Sequence, residues 1–213
     1  MVKLYYTPNS CAASSFISCF IAGIKFDCEI VDLATHITES GINFYTINPK
    51  GNVPTIVLDD GTILNENISC LTYISDISLT QNYKHVSPYN LTSERYLMLQ
   101  QLSFIATELH PTIGFLFNPK CRYDDYIKIF IVDILDKKMK YLQSYLISNK
   151  QFICGDSLTV VDIYLHIILS WLGYVGIDIN KYPIAKIYNE YISEIPEIKR
   201  AKYRMANIET TTI

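Results

Sequence analysis

Short apolar runs alternate with helical stripes in the first third of the chain, and helical stripes alone fill the rest. Val2-Lys3-Leu4-Tyr5-Tyr6 reads as a strand that Pro8-Asn9-Ser10 stops. Cys11 to Gly23 is amphipathic and ends on a glycine, the residue that closes a helix in left-handed backbone. Cys28-Glu29-Ile30-Val31 reads as a second strand. Thr55 to Leu58 and Thr62 to Leu64 flank Asp59-Asp60-Gly61, which predicts a hairpin, because Asp-Gly supplies the positive φ angles of a tight turn. Asn65 to Ile77 returns to helical spacing. After a polar stretch from Ser78 to Asn90, Leu97, Leu99, Leu102, Ile105, Leu109 and Ile113 recur at steps of roughly three and four. A long helix is predicted over Asp124 to Ser148. Another begins at Thr159, where Thr159-x-x-Asp162 is close to a capping box with Asp in place of Glu or Gln. The expected fold is an α/β domain over 1–80 joined to an all-α domain over 90–205.

Composition narrows the partners. The 213 residues are 49% hydrophobic, 13% aromatic and only 18% charged, which suits a packed core and excludes a disordered chain. A net charge of −3 gives no broad basic face, so nucleic acid is not an expected partner. No apolar run reaches the roughly 18 to 20 residues of a spanning helix, and none has the form of a signal-peptide core, so no membrane association is expected. The six cysteines form no Cys-x-x-Cys pair and no Cys/His cluster with zinc spacing. Reduced thiols, a cytoplasmic location and no metal are the expectations.

Cys11 stands after a turn and at a helix start, where unpaired N–H groups and the helix dipole favour a thiolate. Position alone leaves a small buried residue equally open. A series of short motifs along the chain decides more. It comprises Leu4-Tyr5-Tyr6-Thr7-Pro8-Asn9-Ser10-Cys11, Asp32-Leu33-Ala34-Thr35, Asn48-Pro49-Lys50-Gly51-Asn52-Val53-Pro54, Leu58-Asp59-Asp60-Gly61 and Glu66. Phe104 to His110, Leu116-Phe117-Asn118-Pro119, Gly155-Asp156, Thr159 to Asp162 and Leu169-Ser170-Trp171 complete it. This ordered series closely resembles the bacterial beta-class glutathione transferases over nearly the whole chain.

The resemblance implies a thioredoxin-like amino-terminal domain, a helical carboxy-terminal domain, a homodimer and glutathione as co-substrate. It implies that Cys11 contacts glutathione and forms a mixed disulfide with it, and that His110 faces the glutathione thiol. It makes Val53-Pro54 a cis peptide whose Val53 backbone binds the cysteinyl backbone of the tripeptide. Glu66 and the helix start at Asn67 would hold the γ-glutamyl end. His36 stands where the family commonly has a Lys for the glycyl carboxylate, Asn67 where it has Gly, Ser103 where it has an Asn reaching across the dimer, and Pro111 where it has a Lys. Thr107 completes the expected glutathione contacts. Tyr6, Phe117 and Trp171 are the candidates to line an apolar pocket for a small hydrophobic electrophile. The implied activity is conjugation of glutathione to such electrophiles in detoxification, with thiol–disulfide exchange through Cys11 as a further outcome. Against it stands a non-catalytic ligand-binding or interaction protein with a drifted site, favoured by the His36, Asn67 and Ser103 changes.

Overall fold

The computed structural model describes residues 2–80, 83–148 and 151–207. Gln81 and Asn82 of the polar stretch lie outside the described residues. Two compact units emerge, one of residues 2–87 with 196–207 and one of residues 88–195.

The first unit is built on β1 (Val2–Tyr6), α1 (Ala13–Ala22), β2 (Phe26–Asp32), β3 (Ile37–Thr38), β4 (Thr55–Val57), β5 (Ile63–Asn65) and α2 (Asn67–Thr80). The strands form one mixed sheet in the order β3-β2-β1-β4-β5. β1 and β2 are parallel and joined through α1, while β4 pairs antiparallel with both β1 and β5. This is the thioredoxin-like arrangement. α1 ends at Gly23, whose φ of 75° is the left-handed cap the sequence predicts. The hairpin also forms, but as a loop from Leu58 to Thr62 in which only Gly61 has positive φ; the Asp60 carboxylate accepts the Thr62 N–H at 2.9 Å. β3 is two residues long and escapes any periodicity.

Phe16 of α1 anchors the core, stacked on Tyr6 at 5.1 Å and edge-on to Phe26 at 5.4 Å. Tyr6 is fully buried against it, so it lines no substrate pocket. A central strand covered on both faces has no solvent side, which is why Leu4, Tyr5 and Tyr6 are all buried. On the neighbouring strand, Glu29 pairs with Lys3 at 2.7 Å and accepts the Ser40 N–H at 3.1 Å.

The second unit contains α3 (Ser93–Phe104), α4 (His110–Phe115), α5 (Pro119–Arg122), α6 (Asp125–Ser148), α7 (Val160–Tyr174) and α8 (Pro183–Glu194). The last helix, α9 (Pro196–Ala206), packs on α1 in the first unit, although a purely helical reading places it with the second. The expected stripe holds from Leu102 onward, with Leu102, Ile105, Leu109 and Ile113 buried, but at its start Met98 is buried while Leu97 is exposed. Between α3 and α4 the chain widens into one π-helical segment, Ile105–Leu109. α7 is buried on nearly every side and forms the unit's centre. Its capping box is present: the Asp162 carboxylate accepts the Thr159 N–H and hydroxyl, each at 2.7 Å, and the Ile153 N–H at 2.8 Å.

Candidate active site

The first unit gathers most of the sequence-derived residues at the carboxy end of β1 and the start of two helices. Thr7 to Ser10 turn the chain out of β1, with the Ser10 N–H on the Thr7 carbonyl at 3.0 Å. Cys11 follows, two residues before α1 begins. Its side chain is 8% exposed and its thiol donates to the Val53 carbonyl at 3.5 Å. Burial pushes the thiol up to about 12; the Cys11 and Ala12 N–H groups pull the other way, and the Glu66 charge adds to the rise. The thiolate expected from the helix start is therefore absent in the ligand-free protein. Desolvation outweighs the helix-start donors here.

Val53-Pro54 is a cis peptide, as the family resemblance implies. The preceding loop is held by fully buried Asn48, whose amide donates to the Asn52 carbonyl at 2.9 Å and to Thr55 at 3.0 Å. Gly51 has φ of 66°, and a Cβ there would stand 2.6 Å from the Tyr45 ring, so a side chain would be strained and would push that ring aside. His36, itself at φ 55°, lies against the same glycine and packs on Tyr45 at 4.5 Å. Its Nδ1 is buried and has no hydrogen-bond partner among the described residues.

Glu66 adopts φ of 68° at the junction of β5 and α2. A left-handed non-glycine residue stores strain of the kind that clusters at binding sites. Its carboxylate is paired with Lys50, a partner that sequence spacing does not reveal. Asn67, the first residue of α2, is 7% exposed, and its amide is engaged by Ser14 and Ser15 of α1 at 3.1–3.3 Å. Its side chain therefore faces inward; only its backbone is placed for a ligand.

The second unit brings His110, Phe117 and Trp171 together. His110 meets Trp171 edge-on at 4.9 Å, and Phe117 meets Trp171 at 5.4 Å. His110 Nδ1 lies 2.7 Å from the hydroxyl of fully buried Tyr164, a residue the sequence reading passed over. Its signal was available: Tyr164 precedes Trp171 by two helical turns on α7 and shares its face. Ser103 and Thr107 are exposed and open instead on a depression of about 610 Å³ lined by Phe104, Lys138 and Tyr141, but not by His110. Thr107 donates to the Ser103 carbonyl at 2.9 Å.

The remaining chemistry is quiet. Burial raises the thiols of Cys19, Cys28, Cys70 and Cys154 as well, so they are protonated at neutral pH. Among the described residues no cluster of His, Cys, Asp and Glu has the makings of a metal site, and no helix is long and apolar enough to cross a membrane.

Comparison with known proteins decides the family. A curated relative, glutathione S-transferase GstA of Escherichia coli O157:H7, is 32% identical across 94% of this chain and 96% of its own length. The chain belongs to the glutathione S-transferase family. A model of the glutathione S-transferase C-terminal domain matches residues 109–204. Two solved structures are similar to this glutathione S-transferase homologue over nearly its whole length. The sphingomonad enzyme complexed with glutathione has a TM-score of 0.86 and 32% identity, covering 97% of this chain and 100% of its own. The bacterial beta-class enzyme of Sphingomonas chungbukensis has 0.85 and 33%, with coverage of 97% and 100%.

Proposed function

We propose that this glutathione S-transferase homologue joins the glutathione thiolate to small hydrophobic electrophiles, as a cytoplasmic homodimer acting in detoxification. The observation that carries the reading is the pairing of Cys11 with the Val53 carbonyl beside a cis proline, next to a strained Glu66 at a helix start. The peptide-like middle of glutathione takes the Val53 backbone, in the manner of an added strand. Its γ-glutamyl carboxylate takes the first N–H groups of α2 and its ammonium takes the Glu66 carboxylate, displacing Lys50. Cys11, protonated at neutral pH, donates a hydrogen bond to the sulfur of the co-substrate. The glutathione thiol gives its proton to solvent, and the resulting thiolate forms a bond to the electrophilic carbon, whose leaving group departs with the electron pair. In the second unit, His110, which Tyr164 orients, is the proposed catalytic residue, and Phe117 and Trp171 are the proposed contacts of an apolar substrate. His36, Ser103 and Thr107 are the remaining proposed glutathione contacts. Fewer basic groups make this site less attractive to an anion than one with two lysines.

The test is retention on immobilised glutathione together with turnover of a chlorodinitrobenzene. Both are expected. Retention without turnover would make the chain a ligand carrier, and loss of both would overturn the reading.

A further inference from the structure

A buried polar chain joins the start of α2 to the turn that carries Cys11, and the chemistry above leaves it unused. Ser14 and Ser15 are fully buried and Asn67 nearly so. Ser14 Oγ lies 2.6 Å from the Cys11 carbonyl, 3.1 Å from Asn67 Nδ2 and 3.3 Å from Asn67 Oδ1. Ser15 Oγ lies 3.2 Å from Asn67 Oδ1. A hydroxyl carries one proton, so Ser14 cannot donate to the Cys11 carbonyl and to Asn67 Oδ1 together. A carbonyl accepts only, and it stands at the shorter distance, so it takes the Ser14 proton. One direction then satisfies every group. The Asn67 amide N–H donates to Ser14, Ser14 donates to the Cys11 carbonyl, and Ser15 donates to Asn67 Oδ1.

The Cys11 carbonyl shares a rigid peptide plane with the Ala12 N–H. That N–H acts on the Cys11 sulfur in favour of its charged form, and it also donates to Ser10 Oγ at 3.1 Å. The Ser14 backbone N–H also donates to that carbonyl, at 3.0 Å, and the hydroxyl adds the second, shorter hold that aims the Ala12 donor. We infer that Asn67 is a positioning residue that fixes the Cys11–Ala12 peptide through Ser14, and so ties the glutamyl end of the site to its sulfur end. Its importance for catalysis rests on the reading of Cys11 proposed above. The relay itself does not.

The experiment follows alkylation of Cys11 by iodoacetamide against pH, read on the Cys11 peptide by mass spectrometry, without glutathione. The other groups whose charge couples to Cys11 are Glu66 and Cys70, and the variants leave both intact. Asn67→Ala and Ser14→Ala are each expected to slow alkylation about threefold near pH 9, a profile raised by about half a unit. Sharing one relay, the double variant should be no slower than either single one. Ser15→Ala should lower the melting temperature yet keep the wild-type profile, which separates the relay from general loosening. Should Asn67→Ala fail to fold, Ser14→Ala decides alone, since it leaves α2 untouched. Unchanged or faster alkylation in the relay variants, or an equal shift from Ser15→Ala, would overturn the inference. Because no glutathione is present, a failed transferase reading leaves this outcome unaffected.

Discussion

The Cys11 thiol donates to the Val53 carbonyl at 3.5 Å, the residue before the cis Pro54. In the ligand-free protein this sulfur is a hydrogen-bond donor, since burial holds its proton until about pH 12. Disulfide exchange needs the thiolate. Formation of a mixed disulfide with oxidised glutathione should therefore climb about tenfold per pH unit between pH 7 and 10. Mass spectrometry of quenched samples reads it, and a plateau near pH 7 would mean that the thiol is far more acidic than its burial implies.

Conjugation should depend much less on Cys11, because its nucleophile is the thiol of glutathione. Cys11→Ala is expected to keep glutathione binding within about tenfold, or about 1.4 kcal/mol, and to lose the mixed disulfide entirely. Calorimetry measures the first and mass spectrometry the second. Retention of full exchange activity in the Ala variant would move the redox role to another cysteine.

Tyr164→Phe removes the hydroxyl 2.7 Å from His110 Nδ1 while leaving the ring. Loss of one buried hydrogen bond should cost about 1–2 kcal/mol in denaturant titrations. Loss of that bond should lower kcat for conjugation and leave the KM for glutathione nearly unchanged. A change confined to KM would place His110 in binding alone.

How much of this was legible in the sequence depends on whether a signal is local. Gly23 and the Thr159–Asp162 cap were readable because each acts within a few residues of itself, whereas the cis state of Pro54 came from the family resemblance alone. That Met98 rather than Leu97 is buried at the start of α3 depends on which neighbours cover the helix, and the stripe alone does not say. The π-helical turn before His110 likewise has no one-residue signature. At the proposed site, Cys11, Val53, Glu66 and His110 were chosen by motif, and the motif carries nothing about their surroundings. The Cys11 thiol was expected to be acidic, yet desolvation is set by the surrounding elements rather than by position on a helix. Tyr6 failed as a pocket residue for the same reason, and the Lys50 and Ser14 partners come from other segments of the chain.

Glu29 offers a test of the first unit's stability against pH. Burial alone would raise its carboxyl, but Lys3 and hydrogen bonds from Ser40 and Thr38 outweigh that and hold it at about 2, against 4.5 for a free side chain. A depressed folded pKa stabilises above the unfolded value and is lost as pH falls. The contribution should be full above about pH 5 and fade toward pH 2, amounting to at most about 3 kcal/mol. Glu29→Gln should therefore flatten the urea-midpoint curve over that window. An acid limb as steep as the wild type's would remove Glu29 from the account.

The proposed homodimer should scatter light as a particle of about twice the 24.5 kDa chain mass at micromolar concentration. A monomer under those conditions would contradict it.

The most direct measurement is a crystal structure of this chain grown with reduced glutathione. The account predicts the cysteinyl backbone on the Val53 main chain, the γ-glutamyl end on Glu66 and the first N–H groups of α2, and the glutathione sulfur within hydrogen-bonding distance of Cys11. Glutathione bound elsewhere, or an empty Val53 edge at saturating concentration, would contradict it.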